Sequence, residues 1–377
     1  MSAEVFSFQN SSYVTTTIST LDKGRPMAHN HQIFDSFLQY NKQQSAKFTE
    51  PEQVLRRMQY RAKYPVQISA TKCMDGRVNI SDATMTPVGI IQPFSTLGGK
   101  FEVGSHFSDV LLEQIIPATK EGRDSIVLVT YHWSRGLKER GCKGFHCEVD
   151  HAKDYTKGII RDIEIMFGRA HEVVYPIQVG IETDEDALVL HGSNGETFDL
   201  STATSGDPDS LRSALRRLFP DMNGHMIESL IPLCVGNIQH ISEIRAANRP
   251  ISDLEHKENI LGLGRGFDGS HQVNQMLIVG PYSFDLVEPI VVAGKLLLDN
   301  IRSGRISDKD GVALITAATY DEIGPYEMKA MLKARDLASF ALRTLEQNVS
   351  ELMPYLDVRS GVVYKNTRLF TPIDLEG

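Results

Sequence analysis

A chain of 377 residues, with an apolar fraction of 41% and a charged fraction of 23%, has the make-up of a soluble globular protein and the length for two packed cores. Its formal charge of −9, without a sustained basic block, argues against a phosphate-tracking surface and so against nucleic acid as a partner. Four cysteines, Cys73, Cys142, Cys147 and Cys234, are too few for a disulfide framework and suit a reducing compartment where thiolates stay available to metal.

The opening residues show no basic region followed by an apolar one, as a secretory leader would. No apolar run approaches the roughly 20 residues of a membrane helix, so a cytoplasmic location without a membrane partner is expected. Residues 1 to about 28 are rich in Ser, Thr and Asn and read as an extended arm or a poorly ordered tail, with His29 and His31 after them as solvated sequence. Two helices follow. The second has Thr49 as its cap, Pro51 early in the helix and Glu52 in the place a capping box requires.

From Pro65, β-branched runs alternate with longer amphipathic segments: strand 66–72, helix 107–118, strand 125–132, helix 152–168, strand 173–181 and the apolar run 187–190. That rhythm predicts an α/β fold, a mixed sheet flanked by helices. Asp207, Pro208 and Asp209 open a helical stretch that includes 223–247, whose apolar residues recur at helical spacing and read as the seam between halves. A second series then repeats the order, with strand 276–279, helix 287–304, strand 312–316 and helix 326–347.

The repeat predicts two related halves, with the arm and first helices over 1–64, a metal-binding half over 65–206, and linking helices with a diverged copy over 207–377. The strands of the copy end in Tyr282–Asp285 and Thr319–Asp321, which hold neither Cys nor His, so no second metal site is expected. Gly262, Gly264 and Gly266 follow the polar segment 253–259 and read as a flexible connection rather than a nucleotide loop.

Chemistry gathers at two strand ends, the usual place for ligands in such sheets. The run Val66–Ala70 leads into Cys73-Met74-Asp75-Gly76-Arg77, and the run Ile126–Thr130 leads into His132 and then Cys142. Two thiolates and one imidazole form a catalytic zinc ligand set that leaves a fourth position for water. Zinc lowers the pKa of bound water toward about 7, so a hydroxide nucleophile exists at neutral pH. Asp75 is placed to orient that water, and Arg77, whose planar fork matches a carboxylate, to keep Asp75 ionised. Competing readings are an exposed Asp75–Arg77 pair worth under about 1 kcal/mol, and a separate structural metal knot made by Cys142, His146 and Cys147.

Cys73-x-Asp75-x-Arg77, followed by a strand-end His132 and by Cys142, resembles the zinc signature of the β-type carbonic anhydrases. Those enzymes place two residues between the histidine and the second cysteine. Here nine intervene, and the longer loop resembles the carboxysomal shell carbonic anhydrases, a divergent branch. Leu97–Glu102, the acidic turn Gly180–Ala187, Asn237–Ile241 and the region from Glu255 to Asp268 extend the likeness over roughly residues 65–350.

The resemblance implies one Zn2+ per chain on Cys73, His132 and Cys142, an Asp75–Arg77 dyad, and reversible hydration of CO2 to bicarbonate. It implies a catalytic half followed by a copy that has lost its zinc, assembly as a homodimer or larger homo-oligomer, and carboxysome components as partners. His256 resembles a family histidine near the active cleft, a proton relay or substrate contact, and reads equally as a solvated loop histidine; His106 and His146 are weaker relay candidates. The carboxysomal enzymes carry a long N-terminal extension and helical domain where about 64 residues precede the motif here, so residence in a carboxysome is left open beside a cytoplasmic one. Two rivals remain: a scaffold or assembly component that keeps zinc for stability, and a zinc hydrolase of esters or small amides.

Overall fold

The computed structural model of the protein describes residues 32–102, 104, 106–203 and 205–375. The expected arm over 1–28, with His29 and His31, lies outside them. Two helices come first, α1 (Gln32–Thr49) and α2 (Pro51–Lys63). Pro51 does start α2, but Thr49 does not cap it. The first helix runs on to Thr49, whose hydroxyl turns back to donate to the carbonyls of Ser45 and Ala46 at 3.0 and 3.1 Å, and Glu50 takes the cap position without a side-chain bond.

The first sheet has the order β2-β1-β3-β4-β5-β6, made from β1 (Gln67–Cys73), β2 (Ile91–Thr96), β3 (Ser125–Trp133), β4 (Val174–Glu182), β5 (Ala187–His191) and β6 (Thr197–Asp199). Its first four strands are parallel, and β5 and β6 join antiparallel. Parallel strands need cover on both faces, which is why β3 and β4 read as nearly continuous apolar runs; β1 is buried from Ile68 to Cys73 although it carries Ser69, Thr71 and Lys72. The short α3 (Ile80–Ala83) separates β1 from β2. One face carries α4 (His106–Lys120) and α5 (Val149–Phe167), packed through Phe107, Leu111, Ile159 and Ile163.

The other face carries α6 (Pro208–Leu218) and α7 (Gly224–Ala247), so α7 is not the seam between halves. Its residues Ile227, Leu230, Cys234 and Ile241 share a core with β4 and β5. Buried Asn237 fixes it there, accepting from the Leu188 N–H at 3.0 Å and donating to the carbonyls of Ala83 and Asp186 at 2.8 Å.

A second sheet has the order β11-β10-β9-β7-β8, from β7 (Ile260–Gly264), β8 (Met276–Val279), β9 (Val312–Tyr320), β10 (Leu356–Tyr364) and β11 (Leu369–Ile373). Strands β7 to β10 are parallel and β11 is antiparallel, a mixed arrangement like that of the first sheet. Helices α8 (Val287–Arg302) and α9 (Pro325–Asn348) cover one face, and α1 covers the other with Phe34 and Phe37. The glycine-rich segment is therefore a central strand and not a flexible connection. Polar residues before it, His256 and Glu258, are buried and bonded within the protein. Gly264, at φ +125°, sits where a Cβ would meet the Ala317 carbonyl oxygen at 1.9 Å.

The two halves meet at their sheet edges, where the Ile278 N–H donates to the Met74 carbonyl at 3.0 Å and the Gly280 N–H to the Ser95 carbonyl at 2.7 Å. Equivalent rows relate them: Ile68 pairs with Ile91 and Ile126, and Ile260 pairs with Met276 and Ala313. Counting on along matched strands sets Arg265 opposite Cys73 and Thr319 opposite His132. No helix among the described residues is long and apolar enough to cross a membrane.

Candidate metal centre

Three elements bring the ligands together. Cys73 is the last residue of β1, and His132 stands one residue before the end of the neighbouring β3, so parallel pairing brings both to the same end of the sheet. Cys142 arrives on the loop between β3 and α5. The acidic turn after β4 anchors the start of that loop: Glu182 accepts from the Arg135 N–H at 2.9 Å, and Asp184 accepts from the Ser134 hydroxyl at 2.7 Å and the Gly136 N–H at 2.6 Å. Farther on, the Cys142 carbonyl accepts from the N–H groups of Phe145 and Cys147 at 3.1 and 2.8 Å. Close approach to the loop after β2 completes the support, since a Cβ on Gly144 would meet Gly98 Cα at 2.7 Å.

Cys73, His132 and Cys142 are all buried, and one ligand atom from each lies within 4.8 Å of the others. The two sulfurs are 3.7 Å apart. Both ring nitrogens of His132 are buried without a hydrogen-bond partner. An imidazole orphaned in this way costs stability unless something binds it, and it faces two thiols suited to a borderline-soft cation. The site therefore fits a metal ion.

The thiols are electrostatically unequal. Hydrogen bonding from Cys142 pulls the Cys73 thiol well below its usual range against the opposing effect of burial, and nearby His132 adds to the drop. The same contact together with burial drives Cys142 well above its range. Binding of a metal by the pair requires the thiols to be deprotonated.

Asp75 and Arg77 form a buried fork rather than a surface pair. Arg77 Nε donates to Asp75 Oδ1 at 3.0 Å, Nη2 to Oδ2 at 2.7 Å, and the Arg77 backbone N–H to Oδ1 at 2.9 Å. The relative exposures of the Arg77 and Asp75 side chains are 4% and 5%, so the value of an exposed pair does not apply. Burial alone would raise the Asp75 carboxyl, but the Arg77 guanidinium holds it well below the usual carboxylate range. Asp75 Oδ2 lies 3.7 Å from His132 Nε2, which puts the carboxylate beside the three ligands.

The second half completes this shell. Arg77 donates through Nη1 to the Leu254 carbonyl at 2.9 Å, and its Nη2 lies 2.7 Å from the Arg140 carbonyl and 3.2 Å from His256 Nε2. His256 is thus a buried member of the site and not a solvated loop histidine. A polar cleft of about 730 Å³, lined by Arg77, Thr183, Asp186, Arg249 and Lys257 among others, opens onto the guanidinium.

His106 and His146 are not gathered here: the His106 side chain is 73% exposed on α4, and His146 is exposed on the ligand loop. Cys147 is turned toward the carbonyls of Glu139 and Gly141, and the clusters of metal-binding geometry among the described residues do not include a Cys142, His146 and Cys147 set.

Two buried charged residues were not foreseen from the amino-acid pattern. Lys72, 2% exposed and bonded to the Cys73 carbonyl at 3.0 Å, has its ammonium pushed down to about 8 by burial. Glu258 lies within hydrogen-bond distance of His256 and shares with Asp75 and His256 a second cluster of potential ligand atoms. The signal for Glu258 was its place two residues after His256, hidden in a segment whose polarity reads as solvated. Comparison of the chain with known family models and with curated proteins finds no match.

Proposed function

We propose that this protein is a zinc-dependent carbonic anhydrase with one Zn2+ per chain held by Cys73, His132 and Cys142, interconverting CO2 and water with bicarbonate and a proton. The observation that carries the reading is the orphaned His132 ring facing two thiols, with a buried carboxylate held ionised beside it. The ion supplies the Lewis acidity that lets water act as a nucleophile near neutral pH. Asp75, kept anionic and immobile by the Arg77 fork, accepts the hydrogen bond of that water and aims its lone pair at the CO2 carbon. The proton released leaves to buffer through the polar cleft at Arg77. Apolar groups nearby, including Met74, Leu97 and Tyr131, surround the thiols and suit an uncharged substrate.

The test joins metal analysis to stopped-flow CO2 hydration. Wild type should hold one zinc per chain. Asp75→Asn should keep the metal and lose turnover by about a hundredfold, within the usual range for a positioned proton acceptor, whereas Cys142→Ser should lose the zinc. A zinc-loaded wild type that never exceeds the uncatalysed rate overturns the enzyme and leaves a metal-stabilised scaffold. Ester hydrolysis without CO2 hydration would point to a zinc hydrolase.

A further inference from the structure

Glu258 is fully buried, with an exposure of 0%, yet it is a carboxylate and stands just before β7. Its two oxygens both lie 3.1 Å from His256 Nδ1, and Oε1 also accepts the Gly76 N–H at 3.1 Å. Its backbone is pinned as well, because the Asn300 side chain donates to the Glu258 carbonyl at 2.9 Å. Only glycine permits this approach, since a Cβ at residue 76 would meet Glu258 Cγ and the Met276 carbonyl oxygen at 2.9 Å each. The second half thus pushes a negative charge directly beneath the Asp75–Arg77 turn.

The other side of His256 leaves the choice of ring proton to that charge. His256 Nε2 is 3.2 Å from Arg77 Nη2, and a guanidinium offers only donors. Both Nη2 protons are already directed at Asp75 Oδ2 and the Arg140 carbonyl at 2.7 Å, and Nε2 also lies 3.9 Å from Asp75 Oδ2, so it is Glu258, with both oxygens 3.1 Å from Nδ1, that places a ring proton on Nδ1. A carboxylate there favours that tautomer. A second cation among Asp75, His256 and Glu258 is disfavoured, because the Arg77 guanidinium already brings a fixed positive charge onto Asp75 and beside His256 Nε2.

We propose that Glu258 is a positioning residue: it fixes His256 as the Nδ1–H tautomer and clamps the Gly76 turn, so that Arg77 stays seated on Asp75. The consequence for turnover rests on the carbonic anhydrase reading, whereas the tautomer does not. In Glu258→Gln, the new amide can donate to Nδ1 and move the ring proton to Nε2, where it meets the Arg77 N–H groups and unseats the guanidinium.

The experiment is 15N NMR of histidine-labelled, zinc-loaded full-length protein, with His256→Gln used to assign the resonance, alongside stopped-flow hydration. Wild type should show His256 as the Nδ1–H tautomer. Glu258→Gln should show the Nε2–H form, keep one zinc per chain, and lose kcat by about tenfold or more with KM little changed, the usual scale for removing an outer-shell partner. A neutral Nε2–H ring in wild type overturns the proposal outright, even if Glu258→Gln does not fold. So does a folded Glu258→Gln that keeps both tautomer and rate. A wild type with the Nδ1–H tautomer but no hydration activity defeats the enzyme reading and leaves the tautomer assignment standing.

Discussion

Two strand ends at matched places in two similar sheets have met different fates. In the first half, β1 ends in Cys73 and β3 carries His132; in the second half the matched positions of β7 and β9 are Arg265 and Thr319. Past the strand, Asp75 begins a charged turn, whereas the position counted on equally from β7 is Phe267, buried against Phe37 and the second apolar core. The third ligand also lacks a counterpart, because only residues 321–324 separate β9 from α9, against the long Cys142 loop after β3. One scaffold thus yields either a candidate ligand set or a cleft lined by Arg265, Phe267 and Thr319, and the second half supplies Leu254, His256 and Glu258 to the first half's site. The residues at the strand ends, and not the sheets, separate the two halves chemically.

Removing what the first half has and the second lacks should cost the most. Arg77→Ala strands Asp75 as an uncompensated buried charge and should destabilise the fold by about 3–5 kcal/mol in urea unfolding at pH 7. The pH dependence has a definite sign. Because the folded Asp75 carboxyl lies well below its unfolded value, its contribution is fully present above about pH 4 and is lost as pH falls through the folded value. The stability gap between wild type and Asp75→Asn should therefore narrow on acidification below that pH. A gap that stays constant down to acid unfolding would mean that the fork does not hold the carboxylate.

A smaller contrast lies one residue back, where Lys72 is matched by Gly264. Burial pushes the Lys72 ammonium down to about 8, below its unfolded value of about 10.4. Between those values the unfolded chain binds more protons, so stability should rise with pH from about 8 to about 10. Lys72→Met should abolish that rise, which has a slope of about 1.4 kcal/mol per pH unit, and denaturant titrations at about pH 7.5 and about pH 9.5 check it.

The smallest effect belongs to the second half. Arg265 pairs with Glu113 at 2.9 Å across the seam, with side chains 24% and 51% exposed. Arg265→Ala should cost under about 1 kcal/mol and leave zinc content and hydration unchanged. A variant that lost metal would show the two strand ends to be coupled.

Much of this contrast was legible in the chain itself. Cys73, His132 and Cys142 stand out because thiols and imidazoles are rare residue types, and because β-branched runs announce the strands that end at two of them. The α/β alternation was equally plain from 125 to 190 and from 276 to 347. What stayed hidden depended on distant partners. Edge strand β2 contains Pro93, which an edge tolerates, and β10 carries Asp357, Arg359 and Ser360 within its run. Strand β7 was masked by its glycines and by the polar residues before it. Glu258 reads as solvent-facing until its partner Gly76, 182 residues earlier in the chain, is folded against it. The packing of α7 had the same cause, since helical periodicity shows which face is apolar but not which sheet it meets.

The guanidinium of Arg77 is held by carbonyls at Arg140 and Leu254 as well as by Asp75. Two of those three holds, Asp75 and the Arg140 carbonyl, come from the first half and only the Leu254 carbonyl from the second, so a cut between residues 206 and 254 would leave the three candidate ligands on one fragment and take one brace of the guanidinium with the other.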